Sequence, residues 1–79
     1  MSGGDPAVRY YPETDTLFVE LRPGPSVSAE DAGEDLVIHY DAAERPVGWE
    51  IEHASRHPEH VAAALAALRE ARGFPRAAE

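Results

Sequence analysis

Three histidines, His53, His57 and His60, stand close together with Glu52 and Glu59 beside them. His57 and His60 are three apart, a spacing that sets both on one side of a helix. Imidazole with carboxylate is the donor set that zinc, nickel or copper takes. The same residues also suit a strand-to-helix junction whose polar side chains face water. That plainer reading outweighs the metal one, so no metal ligand and no cofactor is expected. Glu20, Glu50 and Glu52 form a second group, because strand alternation directs all three to one sheet face. Acid–base chemistry would need one of them in a dry pocket with a raised pKa, and a small sheet offers an open, wet face instead. His39 is alone among strand residues and reads as an exposed position. Asp15 and Asp41 border turns and suit Asx turns to nearby amides. Ser55 has no His and Asp in a recognisable triad order, and no Gly-rich phosphate loop is present. Catalysis is not expected.

The elements that carry these residues follow from periodicity and turn chemistry. Ala7 to Tyr11 predicts a short strand, closed by Pro12-Glu13-Thr14-Asp15, which suits a type I turn with Pro second. Thr16 to Arg22 alternates, with Leu17, Val19 and Leu21 on one face and Phe18, Glu20 and Arg22 on the other. Pro23-Gly24 supplies a type II turn. Ser26 to Ala29 reads as a short edge strand and residues 30–35 as an acidic loop. Leu36 to Tyr40 predicts a further strand, and Asp41 to Arg45 turns into a partner over Pro46 to His53. A helix starts at Pro58, with Ser55 or His57 as its cap. It stops at Gly73, where Phe74 closes on Leu68. Val61, Ala64, Leu65 and Leu68 make its apolar stripe, and Ala63 and Ala67 fall on its outer side.

Together these give an α+β domain: an antiparallel β-meander of four to five strands with one C-terminal α-helix packed on one face. The covered face takes Val8, Tyr10, Leu17, Val19, Leu21, Leu36, Ile38, Tyr40, Val47, Trp49 and Ile51. Residues 1–6 read as a disordered tail and 7–79 as a single domain. Fifteen Asp and Glu against seven Arg give a net charge of −8. The arginines are scattered, so direct nucleic-acid binding, which rests on clustered cations, is not expected. There is no cysteine, which excludes disulfides and thiolate chemistry. The opening residues lack a basic and then apolar leader pattern, no apolar run is long enough for a membrane span, and a cytoplasmic protein is expected.

Tyr10-Tyr11-Pro12-Glu13-Thr14-Asp15-Thr16-Leu17-Phe18-Val19-Glu20-Leu21 resembles the opening of the YuzE-like family, a domain of unknown function. Leu36 to Asp41, Gly48-Trp49-Glu50-Ile51 and Ala54-Ser55 resemble its later motifs in the same order, over residues 8 to 56. Tyr11 and His39 stand where that family tends to have Asp, and Glu44 replaces its turn Gly. The resemblance implies small bacterial proteins, often encoded beside small RelE-like toxin-type proteins, and hence an antitoxin-like or accessory role.

The expectation is therefore a non-catalytic protein-interaction domain, either a homodimer or the partner of a basic, toxin-like protein. Its docking face would be the uncovered side of the sheet, carrying Tyr11, Phe18, Glu20, Val37, Glu50 and Glu52: apolar centre, acidic rim. The competing expectations are metal binding by His53, His57 and His60, and catalysis by Glu20, Glu50 and Glu52.

Overall fold

Residues 7–73 are described by a computed structural model. The expected tail over 1–6 and the Phe74 contact lie outside the described residues. The first hairpin joins β1 (Val8–Tyr11) to β2 (Thr16–Glu20). The amide of Thr14 donates to the Tyr11 carbonyl at 3.2 Å, the i to i+3 bond of a β-turn with Pro12 in second place. After β2 the chain meets Pro23, Gly24 and Pro25. Two prolines without N–H groups cannot close a tight ladder, so the segment crosses to the far side of the sheet.

There it forms β3 (Ser28–Gly33), which pairs with β4 (Leu36–Tyr40), and β4 pairs in turn with β5 (Pro46–Ile51). The β5 strand also pairs with β2, giving one five-stranded antiparallel sheet in the order β1-β2-β5-β4-β3. Three of the pairings join strands consecutive in the chain, and the β2–β5 pairing locks the two hairpin units together. The acidic stretch expected as a loop is thus most of β3. Pairing with the apolar β4 overrides its poor strand propensity, and every one of its residues stays exposed, so its charges lie on an edge and discourage further strand addition.

The core forms on one face of the sheet. Leu17, Val19, Leu21, Leu36 and Ile51 are buried there against Ala54, Ala64 and Leu68. A short 3-10 turn, η1 (Ala54–Arg56), leads into the helix α1 (Pro58–Arg72), which crosses β2 and β5. Pro58 occupies the first turn, and Gly73 ends the helix in the left-handed conformation at φ 67°, as the sequence predicts. The side chains of Ser55 and His57 do not cap α1 as expected: the N-cap residue, His57, makes no side-chain cap bond. Arg72, in the last turn of the helix, reaches the sheet. It donates to the main-chain oxygens of Leu21 and Glu20 at 3.0 and 3.1 Å, tying the helix end to β2.

Expected placements change at five residues. Leu65 is 37% exposed, and Ala67, expected on the outer side, joins Ala71, Val61, Ala64 and Leu68 against the sheet instead. Small side chains let the helix lie close, and closeness rotates the bulky Leu65 outward. Val8 and Tyr10 share the core face but are on edge strand β1 beyond the helix, so both stay exposed. Val47 turns to the opposite face. Tyr40 pairs with Pro46 and His39 with Gly48, which leaves Val47 as the extra residue of a bulge, the device by which a strand re-aims a side chain.

Each hairpin turn contains one non-glycine residue at positive φ: Asp15, Asp35 and Glu44, at 55°, 59° and 66°. Asp tolerates this conformation better than Glu, because its short side chain bonds locally. Glu44→Gly is therefore expected to stabilise the fold by roughly 1 kcal/mol, less the added freedom of the unfolded chain. Urea unfolding checks it, and a destabilised Glu44→Gly variant would show that the Glu44 side chain makes compensating contacts.

Candidate functional site

The face of the sheet away from α1 carries five of the six expected docking residues, all but Glu52. Register places Arg9, Phe18, Glu50, Val37 and Asp31 in one row across the strands, with Glu20, Gly48, His39 and Ala29 in the next. Phe18 is at the centre, half-buried, while Leu17 is buried in the core behind it, so the two faces are assigned as the alternation predicts. Gly48 is what lets the ring lie flat: a Cβ there would come within 2.8 Å of Phe18 Cζ. The Arg9 guanidinium sits 5.4 Å from the Phe18 ring centre, a cation–π distance. A shallow depression of about 280 Å3 gathers Tyr11, Phe18 and Glu50 with Arg9 and Thr16. A second, of about 420 Å3, joins Phe18 and Glu20 to His39 and the displaced Val47. Val37 neighbours Glu50 across the β4–β5 pair. Glu52 lies just past the end of β5 and is exposed.

His39 is half-buried on this face, where an exposed position was expected. Its Nε2 is 3.1 Å from Glu50 Oε1 and its Nδ1 is 3.3 Å from Ser26 Oγ. The order serine, histidine, carboxylate is that of a hydrolytic triad. The Ser26 hydroxyl, however, is also 3.3 Å from the Ser28 carbonyl, and the chain of contacts lies across an open face. Its evident effect is to brace the Arg22–Val27 crossing against the sheet.

At one end of the sheet, Asp15 organises the β1–β2 turn and η1. Its carboxylate accepts from the Tyr10 hydroxyl at 2.7 Å and from the Ser55 hydroxyl at 2.7 Å, with the Ser55 amide at 3.2 Å. Its carbonyl accepts from the Ala54 amide at 2.8 Å. The expected Asx turn is thus replaced by bonds reaching forty positions along the chain. Asp41 does form the expected local turn, accepting from the amides of Ala43 and Arg45, each at 2.9 Å.

The Tyr10 hydroxyl, then the Ser55 hydroxyl, holds the Asp15 carboxyl below its ordinary value of 3.8. A carboxyl that ionises more readily folded than unfolded stabilises the fold above 3.8, and loses that contribution as pH falls through the lowered folded value. Asp15→Asn is expected to flatten the acid limb of the stability profile by up to one proton's worth of slope. Denaturant midpoints followed from about pH 5 to about pH 2.5 check it. An unchanged slope would mean that Asp15 titrates alike in both states.

The histidine junction is the third assembly. Asp35 Oδ2, on the β3–β4 turn, lies 3.0 Å from His57 Nε2 and 3.2 Å from His53 Nδ1. Glu59 Oε2 lies 3.1 Å from His57 Nδ1. His57 is thus held between two carboxylates, and Asp35 first, then Glu59, raises its pKa above 6.5. The three histidines expected to cluster do not share one centre. His57 and His60 stack at 4.8 Å, whereas His53 turns to Asp35. Sequence spacing indicated His57 with His60, but Glu34 and Asp35 arrive from a turn more than twenty positions away, which no local pattern shows.

One apolar cleft was not foreseen. Ile38, Tyr40 and Trp49 line it opposite Ala67 and Ala71, with a volume of about 300 Å3. It exists because α1 covers β2 and β5 and leaves β4 uncovered. The signal was present in the ratio of one helix to five strands. Among the described residues no helix is long and apolar enough to cross a membrane.

No curated protein and no solved structure matches the chain significantly. A family model described as "Protein of unknown function (DUF2283)" matches residues 7–55, the stretch that builds all five strands, the Phe18 face and the Asp15–Ser55 contact. That match covers more than half of the chain, and the protein belongs to the DUF2283 family.

Proposed function

We infer that the protein is a non-catalytic interaction domain that docks a basic protein partner on the sheet face centred on Phe18. The observation that carries this reading is the face itself: half-buried Phe18 and Val37 lie among Glu20, Glu50 and Asp31, with Arg9 over the Phe18 ring, on the side that α1 leaves open. An aromatic centre within a polar rim is the composition of a docking surface. The net charge of −8 draws basic partners over distance and raises their rate of encounter. The resemblance to proteins encoded beside RelE-like toxin-type proteins makes a small basic protein of that kind the first partner to try, in an antitoxin-like role.

The test uses tag-free protein and a small basic RelE-like protein, measured by calorimetry at low and high salt. The expected result is a one-to-one complex, weakened at least about tenfold by Phe18→Ala and also by added salt. Absence of binding at both salt concentrations, or binding indifferent to Phe18→Ala, would remove the proposal. Sedimentation of the protein alone gives the state of self-association. A dimer broken by Phe18→Ala would mean that a second copy, and not a basic partner, occupies this face.

A further inference from the structure

At the start of α1, two histidines each have one ring nitrogen engaged by the β3–β4 turn. His57 Nε2 lies 3.0 Å from Asp35 Oδ2, and His60 Nε2 lies 3.0 Å from the main-chain oxygen of Glu34. A carbonyl oxygen only accepts, so His60 carries its proton on Nε2 and, when neutral, has its lone pair on Nδ1. His57 has a carboxylate at each ring nitrogen, Asp35 at Nε2 and Glu59 at Nδ1, so its Nδ1 binds an ion only once the proton between it and Glu59 has left. Both Nδ1 atoms face one oxygen: Glu59 Oε2 is 3.1 Å from that of His57 and 3.9 Å from that of His60. The two rings stack at 4.8 Å with 20° between their planes, which keeps the pair side by side. One donor atom from each of the three side chains lies within 4.8 Å of the other two.

We propose that His57, Glu59 and His60 bind a divalent transition-metal ion of the zinc class through His57 Nδ1, His60 Nδ1 and Glu59 Oε2. Donor atoms around a tetrahedral ion with bonds of about 2.1 Å stand about 3.4 Å apart. The Nδ1–Oε2 separations of 3.1 and 3.9 Å bracket that value, and closing on an ion takes rotation of the stacked rings until both Nδ1 lone pairs converge on it. Two imidazoles and one carboxylate form a donor set that zinc accepts. Asp35 and the Glu34 carbonyl supply the outer contacts that orient metal-bound histidines and make them better ligands. Glu59 is 63% exposed, so the remaining coordination position faces water. The ion replaces the proton shared between His57 Nδ1 and Glu59 Oε2, and that proton leaves to solvent. The positive end of the α1 dipole opposes a cation here, while the carboxylates of Asp35 and Glu59 supply compensating negative charge. His53 is not a ligand, since its Nδ1 turns to Asp35 at 3.2 Å.

The test is calorimetric titration of chelator-treated, tag-free protein with Zn2+, repeated with Co2+ to read coordination from its visible absorption. One ion per chain is expected to bind saturably below about 0.1 mM, with thermal unfolding shifted upward on saturation. His60→Gln and Glu59→Gln are expected to weaken binding at least tenfold, and Asp35→Asn to weaken it about 10- to 100-fold. Glu59 is a surface residue, so Glu59→Gln keeps the fold, which far-UV circular dichroism verifies. No saturable uptake, or uptake equal in the wild type, His60→Gln and Glu59→Gln, would overturn the assignment.

Discussion

Ile51→Ala is expected to destabilise the domain by about 2–5 kcal/mol, the range for emptying a buried aliphatic site. Ile51 is on the central strand, pairs with Leu17 on one side and Leu36 on the other, and is 0% exposed. It belongs to the cluster that the helix closes through Ala64 and Leu68. Backbone on both sides is fixed by ladder hydrogen bonds, so the site collapses little after truncation. A chain of this size has roughly 4–12 kcal/mol of total stability, and the loss consumes a large part of it. Urea unfolding measures the effect against Leu65→Ala, a helix position that the stripe also places inward but that is 37% exposed. The latter change is expected to stay within about 1 kcal/mol. Comparable losses at the two positions would mean that α1 is rotated about its axis.

Gly48→Ala is expected to destabilise by about 1–3 kcal/mol through overpacking, although alanine is otherwise the better residue inside a strand. The added Cβ would lie 2.8 Å from Phe18 Cζ and 3.3 Å from Cε1. Phe18 must lift away from the sheet, giving up its place between Arg9 and His39, whose ring centre is 5.9 Å away. The sign of the effect is expected to reverse in a Phe18→Ala background, where the space over Gly48 is free. A double-mutant cycle measures the coupling, expected at about 1–2 kcal/mol or more. Additive effects would show that the ring does not rest on the glycine. Lifting Phe18 also reshapes the face proposed to dock a partner, so Gly48→Ala should weaken that binding while the metal site, on the far side of the sheet, retains its affinity.

Local chemistry made several elements readable. Alternation in Thr16–Glu20 and Leu36–Tyr40 assigned Leu17 and Leu36 inward and Phe18 and Val37 outward, because neighbouring strand residues must point to opposite faces. Pro58 and Gly73 marked the two ends of α1, since proline suits a first turn that needs no N–H and glycine suits the left-handed residue that ends a helix. Pro12 in second place specified the first turn. The acidic β3 was hidden, because its strand state comes from pairing with β4 and not from its own residues.

What stayed illegible was long-range. Val47 changes face through a bulge set by the β4–β5 register, and no single-strand pattern records a register. Alternation alone assigns the residues proposed for docking to one face, yet the grouping of Phe18, Val37 and Glu50 depends on β5 lying between β2 and β4, which brings Glu50 beside both the others. Asp15 looked like a turn residue, and its bonds to Ser55 required the chain to close on itself. The chain order of residues thus dictated the strands other than β3, the turns and the ends of the helix, all governed by interactions across a few positions. Strand order, the bulge and the meeting of Glu34 and Asp35 with His57 and His60 were left to packing, because each joins distant segments whose proximity is settled only when the core is buried.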